Sequence, residues 1–488
     1  MRTIRKSVAS GCRSPTWKRR RRRLRVGGHP MLEAMRLSEL LAPLAGRLVG
    51  TDVAFDSVST DSRALQPGQL FVALSGERFD GHAYLADVAA KGAVAALVQR
   101  EIEGAGLPQL VVADTRLALG QLGALNRDRF SGPVAAVTGS SGKTSVKEML
   151  ASILRAAFGH DAVLATRGNL NNDLGAPLTL LDIGAQHRSA VIELGASRVG
   201  EIAYTVALVR PQVSIITNAG TAHVGEFGGV DKIVEAKGEI LDGLGEGGVA
   251  VLNRDDKAYP VWAARAAGRR ILGFGLESPL ADFTAGLIGH DERGCPNFTL
   301  AGPSGTARIQ LNLLGRHNIA NALAAAAAAH ALGVALPAIV DGLQALQPVK
   351  GRGVAQMLGN GVRLIDDSYN ANPASICAAI DVLSGFAGRR LLVLGDMGEL
   401  GEWAEEGHRE VGAYARGKID ALYAVGPLMA HAVAAFGVGA RHFADQASLI
   451  EALRAEQGSA TTLLIKGSRS AAMDRVVVAL GGPAMEKH

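Results

Sequence analysis

Short apolar runs that end on a polar residue or glycine recur along this chain, and between them apolar residues return every three or four positions. The clearest instance lies at 133–157. Pro133-Val-Ala-Ala-Val-Thr138 reads as a buried strand, and Val146, Met149, Leu150, Ile153, Leu154 and Ala157 repeat at helical spacing, which predicts a helix with one face packed on a sheet. From Gly132 to about Leu346, strands ending at Gly139, Glu193, Asn218 and Asn253 alternate with helical stretches, the pattern of a mostly parallel sheet covered on both faces. A third unit starts near Pro348. Its strands Val362-Arg-Leu-Ile-Asp366, Leu391–Gly395, Ala421–Val425 and Thr462–Lys466 each lead into a loop and a helix, again predicting an open α/β sheet. Between Met31 and Asn126 a strand-like Gly68–Leu74 and a helix-like Tyr84–Gly92 predict a small mixed unit. The expectation is an α/β protein of three domains: a small mixed α/β domain at 31–126, a central domain at 127–346 and a Rossmann-like C-terminal domain at 347–488, preceded by an extension at 1–30.

Length and composition fit that picture. A chain of 488 residues exceeds one ordinary core, and abundant Gly with sparse aromatics suits closely packed α/β layers better than a β-sandwich. Cys12, Cys295 and Cys377 are scattered, with neither metal spacing nor a disulfide framework, so a reducing, cytoplasmic setting is expected. Charge needs dissecting. Eleven of the 51 Lys and Arg residues lie within 1–30, which holds no Asp or Glu, leaving 40 basic against 46 acidic residues and a mildly acidic body. The run Lys18–Arg25 has the charge to bind nucleic acid or anionic lipid. Met31 opens an amphipathic segment, so residues 1–30 read instead as an upstream extension translated from a misplaced start. The stretch Ile319–Val340 is nearly free of polar side chains, but it is mostly alanine and contains Asn321, His330 and Pro337. A packed soluble helix is expected there, not a membrane span.

The chemistry concentrates after the first central strand. In Thr138-Gly-Ser-Ser-Gly-Lys-Thr144, glycines let the backbone approach an anion, Lys143 supplies a point charge and Thr144 offers a hydroxyl to Mg²⁺ at a helix N-terminus. A tight turn without ligand would explain the glycines but not Lys143 followed by Thr144. The usual phosphate loop has a glycine where Val137 stands. Ligands on parallel sheets gather at the carboxyl ends of strands, so Glu193 and His223 are expected on the same rim, as oxygen and accessory nitrogen ligands of Mg²⁺. On its own pattern Lys237 reads as an exposed helix lysine. Asn318, at the start of the alanine helix, fits either a helix cap or an adenine contact. In the third unit, Asp366 and Asp367 are expected to face Lys466 and Arg469 across a cleft. No G-x-G-x-x-G follows that unit's first strand, so no nicotinamide cofactor is indicated.

Taken in order, Thr138–Thr144, Glu193, His223, His317-Asn-Ile-Ala-Asn321 and Arg352 resemble the motifs of the Mur ligases, which build the peptide stem of peptidoglycan, and the resemblance runs from about Met31 to the C-terminus. A short phosphate loop without the glycine at 137 is normal for that family. Asp366-Asp-Ser-Tyr-Asn-Ala-Asn-Pro373, Gly395-Asp-Met-Gly-Glu-Leu-Gly401, Thr60-Asp-Ser-Arg63, Leu70–Leu74, Gly76-Glu-Arg-Phe-Asp-Gly-His82 and Gly168–Pro177 are similar to the members that add D-alanyl-D-alanine to a UDP-N-acetylmuramoyl-tripeptide. The resemblance implies ATP and two Mg²⁺ ions. It implies that Gly139, Ser140, Ser141, Gly142, Lys143, Thr144, Ser145, Asn318, Asn321, Arg352 and Asp367 hold the nucleotide. Ser62, Arg63, Asn171, Asn172, Tyr369, Asn370 and Lys466 would hold substrate, and Thr144, Glu193, His223 and a carbamoylated Lys237 would hold metal, with Lys143, Glu193, His223 and Lys237 catalytic. A monomer without nucleic-acid partner or membrane segment is expected. Two rivals follow from the same residues: a ligase of this fold that adds a single amino acid, or glutamate to folate, and an ATPase reading nucleic acid through the basic tail.

Overall fold

Three α/β sheets follow one another along the chain, in a computed structural model that describes residues 30–76, 79–220, 227, 229–291, 294–348, 350–456 and 460–481. The first is five-stranded, built from β1 (Arg47–Val49), β2 (Val58–Ser59), β3 (Leu70–Val72), β4 (Ala95–Val98) and β5 (Gln109–Val111) in the order β1-β5-β4-β3-β2. Only the β1–β5 pair is antiparallel.

The central sheet is parallel throughout. It consists of β6 (Val134–Thr138), β7 (Val163–Ala165), β8 (Ser189–Glu193), β9 (Val213–Ile216), β10 (Val249–Asn253) and β11 (Arg270–Phe274), ordered β7-β8-β6-β9-β10-β11. β6 therefore sits in the middle, and Val137 pairs with both Glu193 and Ile215. This explains the valine at 137: the position is a fully buried strand residue rather than part of the turn. The sheet order also places the ends of β6, β8 and β9 side by side, so the phosphate loop, Glu193 and Asn218 share one rim.

Apolar clusters cover both faces. On one face, α1 (Lys143–Phe158) and α2 (His317–Ala331) pack with the strands. Val146, Met149, Leu150, Ile153 and Leu154 are buried as their spacing predicts, but Ala157 is exposed. In the last turn of α1 Phe158, rather than Ala157, packs against the core. In α2 the alanines from 324 to 329 are completely buried. Their small side chains let this helix pack closely on the strands beneath it and on α1 beside it, which accounts for a composition resembling a membrane span. The apolar stretch is two helices, because Gly333 turns the chain with φ +79° and α3 (Leu336–Ala345) starts with Pro337 in its first turn, where the missing N–H costs nothing. Among the described residues no helix is long and apolar enough to cross a membrane.

A three-stranded antiparallel sheet, β12 (Thr284–His290), β13 (Pro296–Gly302) and β14 (Gly305–Gln310), was not anticipated from the sequence. It packs Phe298, Leu300 and Ile309 against the alanine helix side of the core. The last sheet runs β15 (Val354–Met357), β16 (Arg363–Asp367), β20 (Thr461–Lys466), β17 (Arg389–Gly395), β18 (Ala421–Val425) and β19 (Ala440–Phe443), with β15 antiparallel at one edge and the rest parallel.

Candidate active site

A cleft of about 1070 Å³ opens between the carboxyl-end rims of the central and last sheets. That volume lies at the upper end for small-molecule sites, with room for a nucleotide and more. Ser140 to Ser145, Asn171, Asn172, Glu193, Asn318, Asn321, Arg352, Asp367, Tyr369, Asn370 and Lys466 all line it, whereas Ser62 and Arg63 do not. Arg63 forms a two-pronged ion pair with Asp61 at the surface of the first sheet's unit. His223 lies outside the described residues.

The phosphate loop is shaped by the neighbouring strand end. Asn218 accepts hydrogen bonds from the backbone N–H and hydroxyl of Ser141 at 3.1 and 3.2 Å, and its amide donates to the Ser141 carbonyl at 3.2 Å. Thr217 donates to the same carbonyl at 2.6 Å. Gly139, at φ +147°, lies against the Thr217 hydroxyl, and a side chain there would collide with it. Gly142, at φ +79°, faces Asn321 Oδ1 so closely that a Cβ would stand 2.6 Å from it. The glycines are thus required by close approach as well as by backbone conformation. Thr217 and Asn218 were missed as shaping residues; the only signal was a Thr-Asn pair closing an apolar run.

Lys143 folds back over the loop, its Nζ donating to the Gly139 carbonyl at 2.7 Å. Desolvation in the cleft lowers its pKa, while the charges of Glu193 and Glu399 oppose that shift. Glu193 is buried, with Oε1 accepting from Asn171 Nδ2 at 2.9 Å. Its other oxygen, Oε2, is buried without a hydrogen-bond partner among the described residues. A carboxylate with one oxygen held and the other unsatisfied fits a hard cation, so the residues present suit Mg²⁺. Among the described residues no three His, Cys, Asp or Glu side chains converge.

Lys237 is the clearest correction. It is 1% exposed, not a surface lysine. Its helix (Val230–Gly238) turns that side chain inward, where Nζ stands 3.4 Å from the Ala196 carbonyl and 5.1 Å from the centre of the Phe227 ring. Burial, aided by the charge of Lys143, brings its pKa down to about 7. Asn318 is not the cap of α2: Arg316 holds that position. Asn318 instead donates to the Leu314 carbonyl at 2.8 Å and accepts from Asn321 at 2.9 Å, forming a buried amide pair beside the phosphate loop. Asn172 likewise spends its carbonyl on the N–H of Gly175 at 2.8 Å, fixing the start of the helix Gly175–Leu181.

On the other rim, the acidic pair does not face the lysine across a cleft. Asp367 and Lys466 are register partners on adjacent strands, with Nζ 2.7 Å from Oδ2, and Lys466 also donates to the Asn370 carbonyl at 2.9 Å. Asp366 points the other way, into the protein. Burial raises its carboxyl pKa, against bonds from the Ser368 hydroxyl at 2.6 Å and the Gly351 N–H at 3.2 Å. The period-2 alternation of a strand makes this unavoidable, since consecutive residues must face opposite sides. Arg352 lies between two left-handed glycines, Gly351 and Gly353, and its guanidinium covers the Tyr369 ring at 4.3 Å; Arg469 approaches the same ring at 5.6 Å. The Gly351 carbonyl accepts from the Tyr369 N–H at 3.0 Å. Glu399, also in the cleft lining, sits at φ +62° in the turn after β17 and was not singled out from the sequence.

Comparison with known proteins agrees with this geometry. Family models described as the Mur ligase family catalytic domain, middle domain and glutamate ligase domain match residues 54–127, 137–329 and 354–469. The UDP-N-acetylmuramoyl-tripeptide–D-alanyl-D-alanine ligase of Escherichia coli K12 is 47% identical over 449 residues, spanning 91% of this chain and 98% of that protein. A crystal structure of MurF from Acinetobacter baumannii superimposes with a TM-score of 0.86 at 40% identity, covering 92% of this chain and 99% of the other. MurF from Thermotoga maritima in complex with ADP gives 0.79 at 28% identity, covering 87% and 96%. The chain belongs to the Mur ligase family.

Proposed function

We infer that this protein is an ATP-dependent ligase that joins D-alanyl-D-alanine to the terminal carboxylate of a UDP-N-acetylmuramoyl-tripeptide, releasing ADP and phosphate in peptidoglycan precursor synthesis in the cytoplasm. The observation that carries the site chemistry is the half-satisfied Glu193 carboxylate beside Lys143 and a buried lysine with a pKa of about 7. In the division of labour we propose, residues 31–126 hold the UDP-sugar end, with Ser62 and Arg63, residues 127–346 hold ATP, and residues 347–488 close over both.

The γ-phosphoryl of ATP passes to the tripeptide carboxylate, giving an acyl phosphate and ADP. The dipeptide amine then attacks the acyl carbon, and the collapse of the tetrahedral intermediate expels phosphate and leaves an amide. The backbone N–H groups at the start of α1 cradle the phosphates, and Lys143 turns from the Gly139 carbonyl to the transferring group. Asn318 and Asn321 fix the loop and the base side of the nucleotide. Arg352 and Asp367, with Tyr369, Asn370 and Lys466, bring the second rim to the reacting carboxylate and keep water from it. Thr144, Glu193, His223 and Lys237 would hold Mg²⁺, which supplies charge neutralisation at the phosphates. An amine with a pKa near 7 is substantially neutral at physiological pH, the form that adds to CO₂, so a carbamate at Lys237 would turn a repelling cation into an oxygen donor.

The deciding experiment supplies UDP-N-acetylmuramoyl-tripeptide, with lysine or diaminopimelate as third residue, and ATP, together with either D-alanyl-D-alanine or free amino acids. Amide formation with the dipeptide is expected; strict preference for a free amino acid would overturn the assignment.

A further inference from the structure

Lys147 is a buried ammonium that the chemistry above does not use. It is 1% exposed on α1, one turn beyond Lys143. Burying a cation is unfavourable unless its hydrogen bonds are made, so its partners indicate what the position is for. Nζ stands 2.7 Å from Glu148 Oε1 and donates at 2.7 Å to the carbonyl of Thr166, the residue that follows β7. Thr166 grips β8 at two points. Its N–H donates to the Val191 carbonyl at 3.0 Å, and its hydroxyl accepts the N–H of Glu193 at 2.9 Å. The loop that starts at Thr166 returns to Glu193 through Asn171, whose amide donates to Oε1 and whose carbonyl accepts the Gly195 N–H at 2.8 Å. Glu193 is thus held at its backbone and at one carboxylate oxygen by two residues of a single loop, and that loop is fastened to the phosphate-binding helix by the ammonium of Lys147.

We propose that Lys147 is a positioning residue: through Thr166 it ties the phosphate-binding helix to the Glu193 strand end, so that the free carboxylate oxygen meets the metal of the bound nucleotide. The proposal rests on the reading of Glu193 as a metal ligand. It differs from a stability role because it concerns where one oxygen points.

The test uses the full chain with ADP and Mn²⁺ as the probe, free Mn²⁺ being read by its paramagnetic resonance signal, and with thermal unfolding recorded for every variant. Folded Lys147→Met is expected to bind Mn²⁺ about 10- to 100-fold more weakly in the ADP complex, and to need correspondingly more Mg²⁺ for half-maximal turnover. Lys147→Gln, which keeps a donor, is expected to recover part of that loss. Should Lys147→Met not fold, Thr166→Val reads the same link by removing the hydroxyl that accepts the Glu193 N–H, and it too is expected to weaken Mn²⁺ binding. Wild-type Mn²⁺ affinity in the folded variants would overturn the proposal. Glu193→Gln, run alongside, separates the causes. If it alone weakens binding, the link fails and the metal site stands; if it leaves binding unchanged, the metal reading falls and takes the link with it.

Discussion

The two rims of the cleft hold their charged side chains in opposite states. On the last sheet's rim the charges are engaged: Lys466 is paired with Asp367 and the Asn370 carbonyl, and Arg352 covers the Tyr369 ring. On the central rim they are left short. Glu193 has one buried oxygen without a partner among the described residues, and desolvation depresses the pKa of both Lys143 and Lys237. Burial without compensation is costly, so a rim that keeps such groups is prepared for a charged ligand. The paired rim is a finished surface that needs only to be brought close.

The largest effect that breaks this contrast is expected from the central rim. Lys143→Ala should abolish phosphate release, a loss on the order of a thousandfold or more, measured as ATP-dependent phosphate production. Normal turnover would remove Lys143 from the transfer. Next is Lys237→Ala, expected to lower the rate on the order of a hundredfold and to regain part of it with a short carboxylic acid. Unchanged kinetics would return Lys237 to a packing role.

On the paired rim the expectation is an asymmetry in stability. Asp367→Asn leaves the nearly buried Lys466 without its carboxylate and should cost about 3 kcal/mol in chemical denaturation. Lys466→Met should cost less, because Asp367 keeps access to water. Equal costs would mean that the pair is not the organising contact.

The pH dependence sharpens the comparison at smaller scale. The folded pKa of Lys237 lies below its unfolded value, so the native state binds fewer protons between about pH 7 and 10 and this group's contribution to stability rises with pH across that window. Lys237→Met should flatten that rise in urea midpoints, and ¹³CO₂ labelling of the wild type should fade as pH falls through about 7. The smallest effect is expected from removing residues 1–30, which should leave ligation unchanged; loss of function on deletion would favour the nucleic-acid reading.

What the sequence revealed follows the physical range of each signal. The central strands and the helix behind the phosphate loop were legible because periodicity reports burial directly, and Val137 was explicable once β6 proved to be the central strand. The burial of Lys147 and Lys237 was not legible, since a lysine on a helix carries no local mark of which way the tertiary fold turns it. The bond from the Asn171 amide to Glu193 was likewise not legible, because it joins residues 22 positions apart. Asp366 and Asp367 were grouped as one acidic site, an error that the alternation of a strand corrects.

The two glycines around Arg352 bear on movement. Leu346 is still tied to the central unit, its carbonyl accepting from Asn312 at 3.3 Å, while Gly351 is bonded to Asp366 near the end of the last sheet's strand β16 and to Tyr369 just beyond it. In the closure proposed above, Gly351 keeps its bonds to Asp366 and Tyr369 and so moves with the last sheet. Arg352 then travels as cargo of the C-terminal half, and the separation between its guanidinium and Lys143 is a ruler for how far the jaws have shut.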